Sequence, residues 1–418
     1  MAVSLLFNIN ELNTCHSDQA FKGSELGEDT SLKGAAIAWE GNKIIELGTS
    51  DELLKKYPNA KKIDANAKAV IPGFVDSHTH LVFDGSRHEE YKYKILGKSY
   101  TDLHQEGGIL STVAKTREAS PEQLFEQAKE NLDLMLLHGT TSVEAKTGYG
   151  LDELTEKKIV DVMLRLKKTS TQDLYLTFLG AHTIPKEFKE KKEAYLELVK
   201  NLIPQMSKDC DFLDVWCDPL GFTIEETSEL CELAIKNGLK IKLHVEQTGL
   251  NGGAEIAAKY NAISCDHLDH LSPAGIKALA KSKTIGVLLP SVTYHLMEFS
   301  KKIPVEQMIQ EEMKLALATD FNPGSCPCLS MQRVMEDACR LYKLDYNQAL
   351  NCSTLNAAYA LDIATDVGSI SPGKKADFLI LDVDEAAKMI HQFGRNHVQH
   401  VYKNGVQVVK NGQLAKAH

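Results

Sequence analysis

The chain has 418 residues, 43% of them hydrophobic and 25% charged, the make-up of a globular protein able to bury a large core. Its 57 acidic residues outnumber 47 basic ones for a formal net charge of -10. That balance excludes nucleic acid or an anionic membrane surface as a partner, since either demands clustered Lys and Arg. No apolar run is long enough to span a membrane, "MAVSLLFNINELNTC" lacks the basic start and long apolar centre of a secretory signal, and the nine cysteines form no paired framework; a cytoplasmic, reducing setting is expected.

Residues 1 to 68 carry strand-like stretches, with "GAAIAWEGNKIIELG" turning back at Gly41-Asn42, a hairpin signal. From about residue 70 the pattern changes to short β-branched runs alternating with amphipathic helical stretches. The runs are "GFVDSHTH", "GTTSVEAKT", "LYLTFLGAH", "FLDVWCD", "KIKLHVE", "AISCDHL", "TIGVLLP" and "KLALATD". Parallel strands joined by crossover helices are implied, and eight of them close a (β/α)8 barrel. The helices have their own start signals: Ser120-Pro121-Glu122-Gln123 and Thr223 to Glu226 read as capping boxes, Ser272-Pro273 as a third start, and Gly139 as a stop. The tail returns to strand-like segments, "KADFLILDVDE" and "HVQHVYKNGVQVVKNGQ", with Asn-Gly turns. The expected fold is therefore α/β: a (β/α)8 TIM barrel over residues 69–361, with residues 1–68 and 362–418 forming a composite β-sandwich domain.

Chemistry in such a barrel sits at the carboxyl ends of the strands, and those ends are rich in ligand-type residues. The first strand ends in His78 and His80, the third in His182, the fifth in His244, the sixth in His267 and the eighth in Asp320. A spacing of two places the imidazoles of His78 and His80 on one side of a strand. With a further histidine and a carboxylate they make a site suited to Zn2+ or Fe, with a position left for water. Lys146, beside "TGYG", reads as a solvated loop charge. Arg87 follows the His-Thr-His segment. A protein of net charge -10 needs a positioned guanidinium to capture an anionic small molecule; the plainer alternative for Arg87 is an ion pair with Glu89 or Glu90.

With "PGFVDSHTHLVFDGSR", "TTSVEAKTGYGLD", "GAHTIPKE", "KLHVEQ", "SCDHL", "LATDFNPGSCP", "TLNAAYAL" and "GSISPGKKADFLILD" in hand, the chain resembles the amidohydrolase superfamily over nearly its whole length. Within it, the chain is most similar to the branch that opens the imidazolone ring in histidine degradation. The resemblance implies hydrolysis of 4-imidazolone-5-propanoate to N-formimino-L-glutamate. It makes His78, His80, His244 and Asp320 metal ligands, Arg87, Tyr100, Tyr149, His182 and Gln247 substrate contacts, and Asn322, Gly324 and Ser325 the lining of the propionate or product end. Asp320, His267 and Gln247 are then the catalytic groups, Asp320 as base and His267 as support for the oxyanion. Two-metal relatives bridge their ions with a lysine on strand four, and "FLDVWCDP" has none, so one ion per chain, Zn or Fe, is expected.

Departures from the pattern are Glu106 in "HQEGGIL", a second histidine, His270, three residues after His267, and Gln247 where some relatives carry Glu. The rival reading is an aminohydrolase, a deaminase of a nucleobase-like heterocycle. A deaminase needs an acid to protonate the departing amine, and a glutamine amide cannot do so. A non-catalytic scaffold would have lost ligands, and none is lost. A homodimer is expected from the enzyme's size class.

Overall fold

The computed structural model describes residues 2–97 and 108–415. Five strands precede the barrel: β1 (Val3–Asn13), β2 (Ser31–Glu40), β3 (Lys43–Thr49), β4 (Lys61–Asp64) and β5 (Ala69–Pro72). Glu40 faces Lys43 across the β2–β3 hairpin, whose turn begins with Gly41 at φ 58, as the Gly-Asn signal predicts. All eight expected barrel strands form: β6 (Phe74–Asp76), β7 (Thr140–Lys146), β8 (Asp173–Ala181), β9 (Phe212–Cys217), β10 (Lys240–Val245), β11 (Ser264–His267), β12 (Ile285–Leu288) and β13 (Leu315–Leu317). They pair in chain order, every pair parallel. Helices cover the outside and side chains fill the inside, so these strands are buried on both faces and show little of the alternation seen in half-exposed strands.

The helix signals act where the sequence puts them. Ser120 and Thr223 each close a capping box with Gln123 and Glu226, and Ser272 accepts from the Gly275 N–H at the start of its helix. Gly139 takes φ 91 and ends the helix Pro121–Leu137, a conformation that L side chains avoid.

The tail adds β14 (Phe378–Leu381), β15 (Val398–Lys403), β16 (Val406–Lys410) and β17 (Gln413–Leu414). Both ends of the chain join in one mixed sheet of nine strands, in which β5 bridges β1 and β14. The sandwich is thus a single sheet curled over itself. Trp39 of β2 lies edge-on to Phe378 and Tyr402, with ring centroids 5.4 and 5.8 Å away, although β2 is not a neighbour of β14 or β15. Ala69–Pro72 belongs to this sheet, and the chain passes from it to β6 through Gly73 alone. A side chain at Gly73 would meet Thr141 at 2.3 Å.

The first and last barrel strands are 243 positions apart and meet at a seam. Asp76 accepts from the Thr319 N–H at 3.1 Å and from its hydroxyl at 2.6 Å. Above it, the Asp320 N–H donates to the His78 carbonyl at 3.0 Å and the His80 N–H to the Phe321 carbonyl at 2.8 Å.

Candidate active site

The seam opens directly into the site. His78 and His80 follow β6, and the Nε2 atoms of both lie near one oxygen of Asp320, at 3.3 and 3.4 Å. His244 ends the inward face of β10, its ring centroid 4.4 Å from that of His78 and 5.2 Å from that of His267. Strict alternation would prevent neighbours such as Asp266 and His267, or Thr319 and Asp320, from both facing inward. The backbone resolves this with positive φ at His267 (78) and Asp320 (53). Strained residues of this kind persist where the surrounding structure holds them, commonly at functional sites.

Ring orientation follows from the partners. The Nδ1 of His78 lies 2.7 Å from an oxygen of Asp266, and the Nδ1 of His244 2.8 Å from an oxygen of Asp214. An ionised carboxylate only accepts, so both Nδ1 atoms carry a proton. His244 is lowered by burial and keeps its lone pair on Nε2. Burial and Lys146 work against a second proton on His78, but the contacts with Asp266 and Asp320 raise it to about 9, so its Nε2 offers a lone pair only when an ion displaces that proton. The Nε2 of His244 is buried without a hydrogen-bond partner. Ligand-type atoms of His78, His80 and His244, and of His78, His267 and Asp320, lie within 4.8 Å of one another. Imidazole lone pairs backed by carboxylates, beside a carboxylate oxygen, fit a metal ion. Burial depresses His80 to about 4 and also lowers His244, His182 and His267, keeping the neutral ring that coordination requires. Burial works against ionisation of Asp320, but the contacts with His78 and His80 outweigh it and hold its carboxyl well below the usual range.

Above these residues is a narrow cleft lined by His80, Arg87, Tyr149, His182, Trp216, His244, Gln247, His267, Asp320, Asn322 and Ser325, among others. His182 stacks on His80, centroids 4.9 Å apart, and its Nδ1 lies 2.9 Å from the Gly148 carbonyl. A carbonyl only accepts, so Nδ1 donates and Nε2 remains an acceptor. Tyr149 packs against both rings. Arg87 is almost buried, with 8% of its side chain exposed, and it forms the plainer of the two expected contacts, an ion pair with Glu90 through Nε at 3.0 Å and Nη2 at 2.7 Å, while also lining the cleft. Glu89 pairs instead with Lys92 and His88. Gly324 lies under the guanidinium, where a side chain would come within 2.0 Å of Nη1. Asn322 organises this loop, donating to the Asp320 carbonyl at 2.7 Å and accepting from the N–H groups of Gly324 and Ser325.

A model of the amidohydrolase family matches residues 69–408. An imidazolonepropionase of Treponema denticola is 42% identical over 407 residues, covering 95% of this chain and 98% of that protein. One from Thermoanaerobacter pseudethanolicus is 40% identical over 404 residues, 96% of each chain. The chain belongs to the imidazolonepropionase family of amidohydrolases. Among solved structures, a triazine hydrolase variant superposes with a TM-score of 0.77 at 16% identity, covering 100% of this chain and 96% of that one. An adenosine deaminase from Xanthomonas campestris with bound zinc gives 0.73 at 17%, covering 100% and 95%. At such identities the likeness is one of fold.

The position after strand five separates this family member from a deaminase arrangement. Glu246 follows β10 at φ 54, so it does not continue the strand; its carboxylate accepts from the Gly252 N–H at 3.1 Å, ahead of the helix Gly253–Lys259, and Gln247 lines the cleft. His267 lines the cleft as well, whereas His270 is exposed on the following turn. Tyr100 and Glu106 lie outside the described residues.

Lys146 corrects the sequence reading. It is no solvated loop charge but a fully buried residue of β7, its Nζ 2.6 Å from Glu144 and 2.8 Å from Asp214. Glu144, Asp214 and Asp266, all fully buried, went unremarked in the sequence together with Trp216. The available signal was the spacing of two between Glu144 and Lys146 within an assigned strand, which sends both side chains to the same side.

Proposed function

We propose that the chain hydrolyses 4-imidazolone-5-propanoate to N-formimino-L-glutamate in histidine degradation, using one divalent ion, zinc or iron, held by His78, His80, His244 and Asp320. The observation that carries the reading is similarity to imidazolonepropionases along 95% of the chain; the geometry supports the individual roles. Coordination to such an ion lowers the pKa of water from 15.7 to about 7, which supplies a nucleophile for the ring amide at neutral pH. Asp320, ionised and at the base of the cleft, would take the proton of the attacking water. A ring N–H of His267 donates to the oxygen that gains charge as the carbonyl is attacked. His182 accepts from a ring N–H of the substrate through Nε2, and the amide of Gln247 orients the heterocycle. Arg87, its plane fixed by Glu90 and Gly324, binds the propionate. Water adds across the C–N bond of the cyclic amide, the carbonyl carbon becomes a carboxylate, and the nitrogen leaves with the formimino group after regaining a proton.

Deamination fits less well, because the glutamine on the cleft wall cannot protonate an amine and Glu246 is turned toward a helix. The test is incubation of purified, metal-loaded protein with imidazolone propionate. Loss of the ring's ultraviolet absorbance with stoichiometric N-formimino-glutamate is expected. Absence of turnover, or release of ammonia with the ring intact, sinks the proposal.

A further inference from the structure

We propose that Lys146 is a positioning residue of the metal site: one buried ammonium gathers three carboxylates, each of which holds a different part of the donor set. Its Nζ lies 2.6 Å from Glu144, 2.8 Å from Asp214 and 3.8 Å from Asp266, with all four side chains fully enclosed. Glu144 accepts from the Thr79 N–H at 3.1 Å, the peptide between His78 and His80. Asp214 contacts the His244 ring at 2.8 Å and accepts from the His244 N–H at 3.1 Å. Asp266 holds the His78 ring at 2.7 Å. The Lys146 N–H also donates to the Thr79 carbonyl at 2.9 Å. The inference rests on the metal site proposed above.

Two effects of opposite sign follow from such a cation. It repels a dication nearby, and it holds together three carboxylates that would otherwise repel one another in a medium without water. Positioning wins because the carboxylates and imidazole rings stand between the ammonium and the Nε2 atoms that face the centre. Repulsion is damped along that line, whereas slackening of the carboxylates acts on each ligand directly. Groups that orient metal ligands typically change affinity 10- to 100-fold when removed.

The test measures the Zn2+ dissociation constant of metal-free parent and Lys146→Met protein by competition with a chromogenic chelator, alongside thermal unfolding of the metal-free forms. A folded Lys146→Met protein that binds Zn2+ about 10- to 100-fold more weakly is expected. Glu144→Gln keeps an acceptor oxygen for Thr79 but loses the charge, and should fall between the two. Parent-like or tighter Zn2+ binding by folded Lys146→Met overturns the proposal, since a lysine needed only for stability lowers Tm without moving that constant. If Lys146→Met does not fold, parent-like binding by Glu144→Gln and Asp214→Asn overturns it instead. A parent protein that takes up no Zn2+ overturns the metal site itself, a distinguishable failure.

Discussion

Gly324 has no room for a side chain because the guanidinium of Arg87 occupies the space. Gly324→Ala should therefore displace Arg87 and reproduce the defect of Arg87→Gln. A charge-assisted hydrogen bond of about 1.5–3 kcal/mol corresponds to a loss of roughly 10- to 150-fold in kcat/KM. With an analogue lacking the carboxylate, both variants should match the parent; equal losses on the two substrates would assign Arg87 to scaffolding. Asp320→Asn removes the charge of a proposed ligand together with the proposed proton acceptor, and kcat should fall by on the order of 10^2 to 10^4 or more. Activity within about tenfold of the parent, too little for a general base, would move the proton to another group. At this scale the strand-end residues were legible because a histidine or aspartate ending an apolar run is chemically conspicuous. Asp214 and Asp266 sit inside the runs "FLDVWCD" and "SCDHL", where a single carboxylate offers no hint that it backs an imidazole from another strand.

At the scale of elements, every barrel strand and three helix starts were readable, since apolar runs and capping boxes are local properties. What was not readable is the breaking of alternation at Glu246, His267 and Asp320, whose positive φ is imposed by tertiary packing. The terminal sheet offers a prediction of its own. On the turn leading into β14, burial depresses Lys374 to about 8, and its Nζ donates to the Val367 carbonyl at 3.3 Å. A lysine in the unfolded chain titrates near about 10.4, so the unfolded state binds more protons between these values and stability rises with pH there. The penalty is fully present below pH 8 and fades toward 10.4. Lys374→Met should raise Tm at pH 7 and flatten the rise between pH 8 and 10; an unchanged slope in thermal melts would place that rise elsewhere.

At the scale of the whole molecule, no helix among the described residues is long and apolar enough to cross a membrane, and none of the nine cysteines is paired. One apolar cluster runs through the barrel and out under its helices, so the fold does not hang on an ion. Chelation should abolish turnover while leaving the far-ultraviolet circular dichroism intact, with Tm lowered by the lost binding energy. Collapse of the dichroism on chelation would contradict this.

The seam between β6 and β13 joins segments made at opposite ends of barrel synthesis, and it does so beside the residues proposed to hold the ion. Assembling the donors and shutting the cylinder are consequently one event. A nascent chain that has not yet docked its last strand offers only part of the set, so an ion bound at the finished site acts as a rivet across the closure. Hydrogen exchange reads this directly. On adding Zn2+ to metal-free protein, the amides of His80 and Asp320, which cross the seam, should slow more than those in the middle of β9 or β10. Uniform slowing throughout the barrel would mean that the ion steadies the fold as a whole and leaves the closure no tighter than the rest.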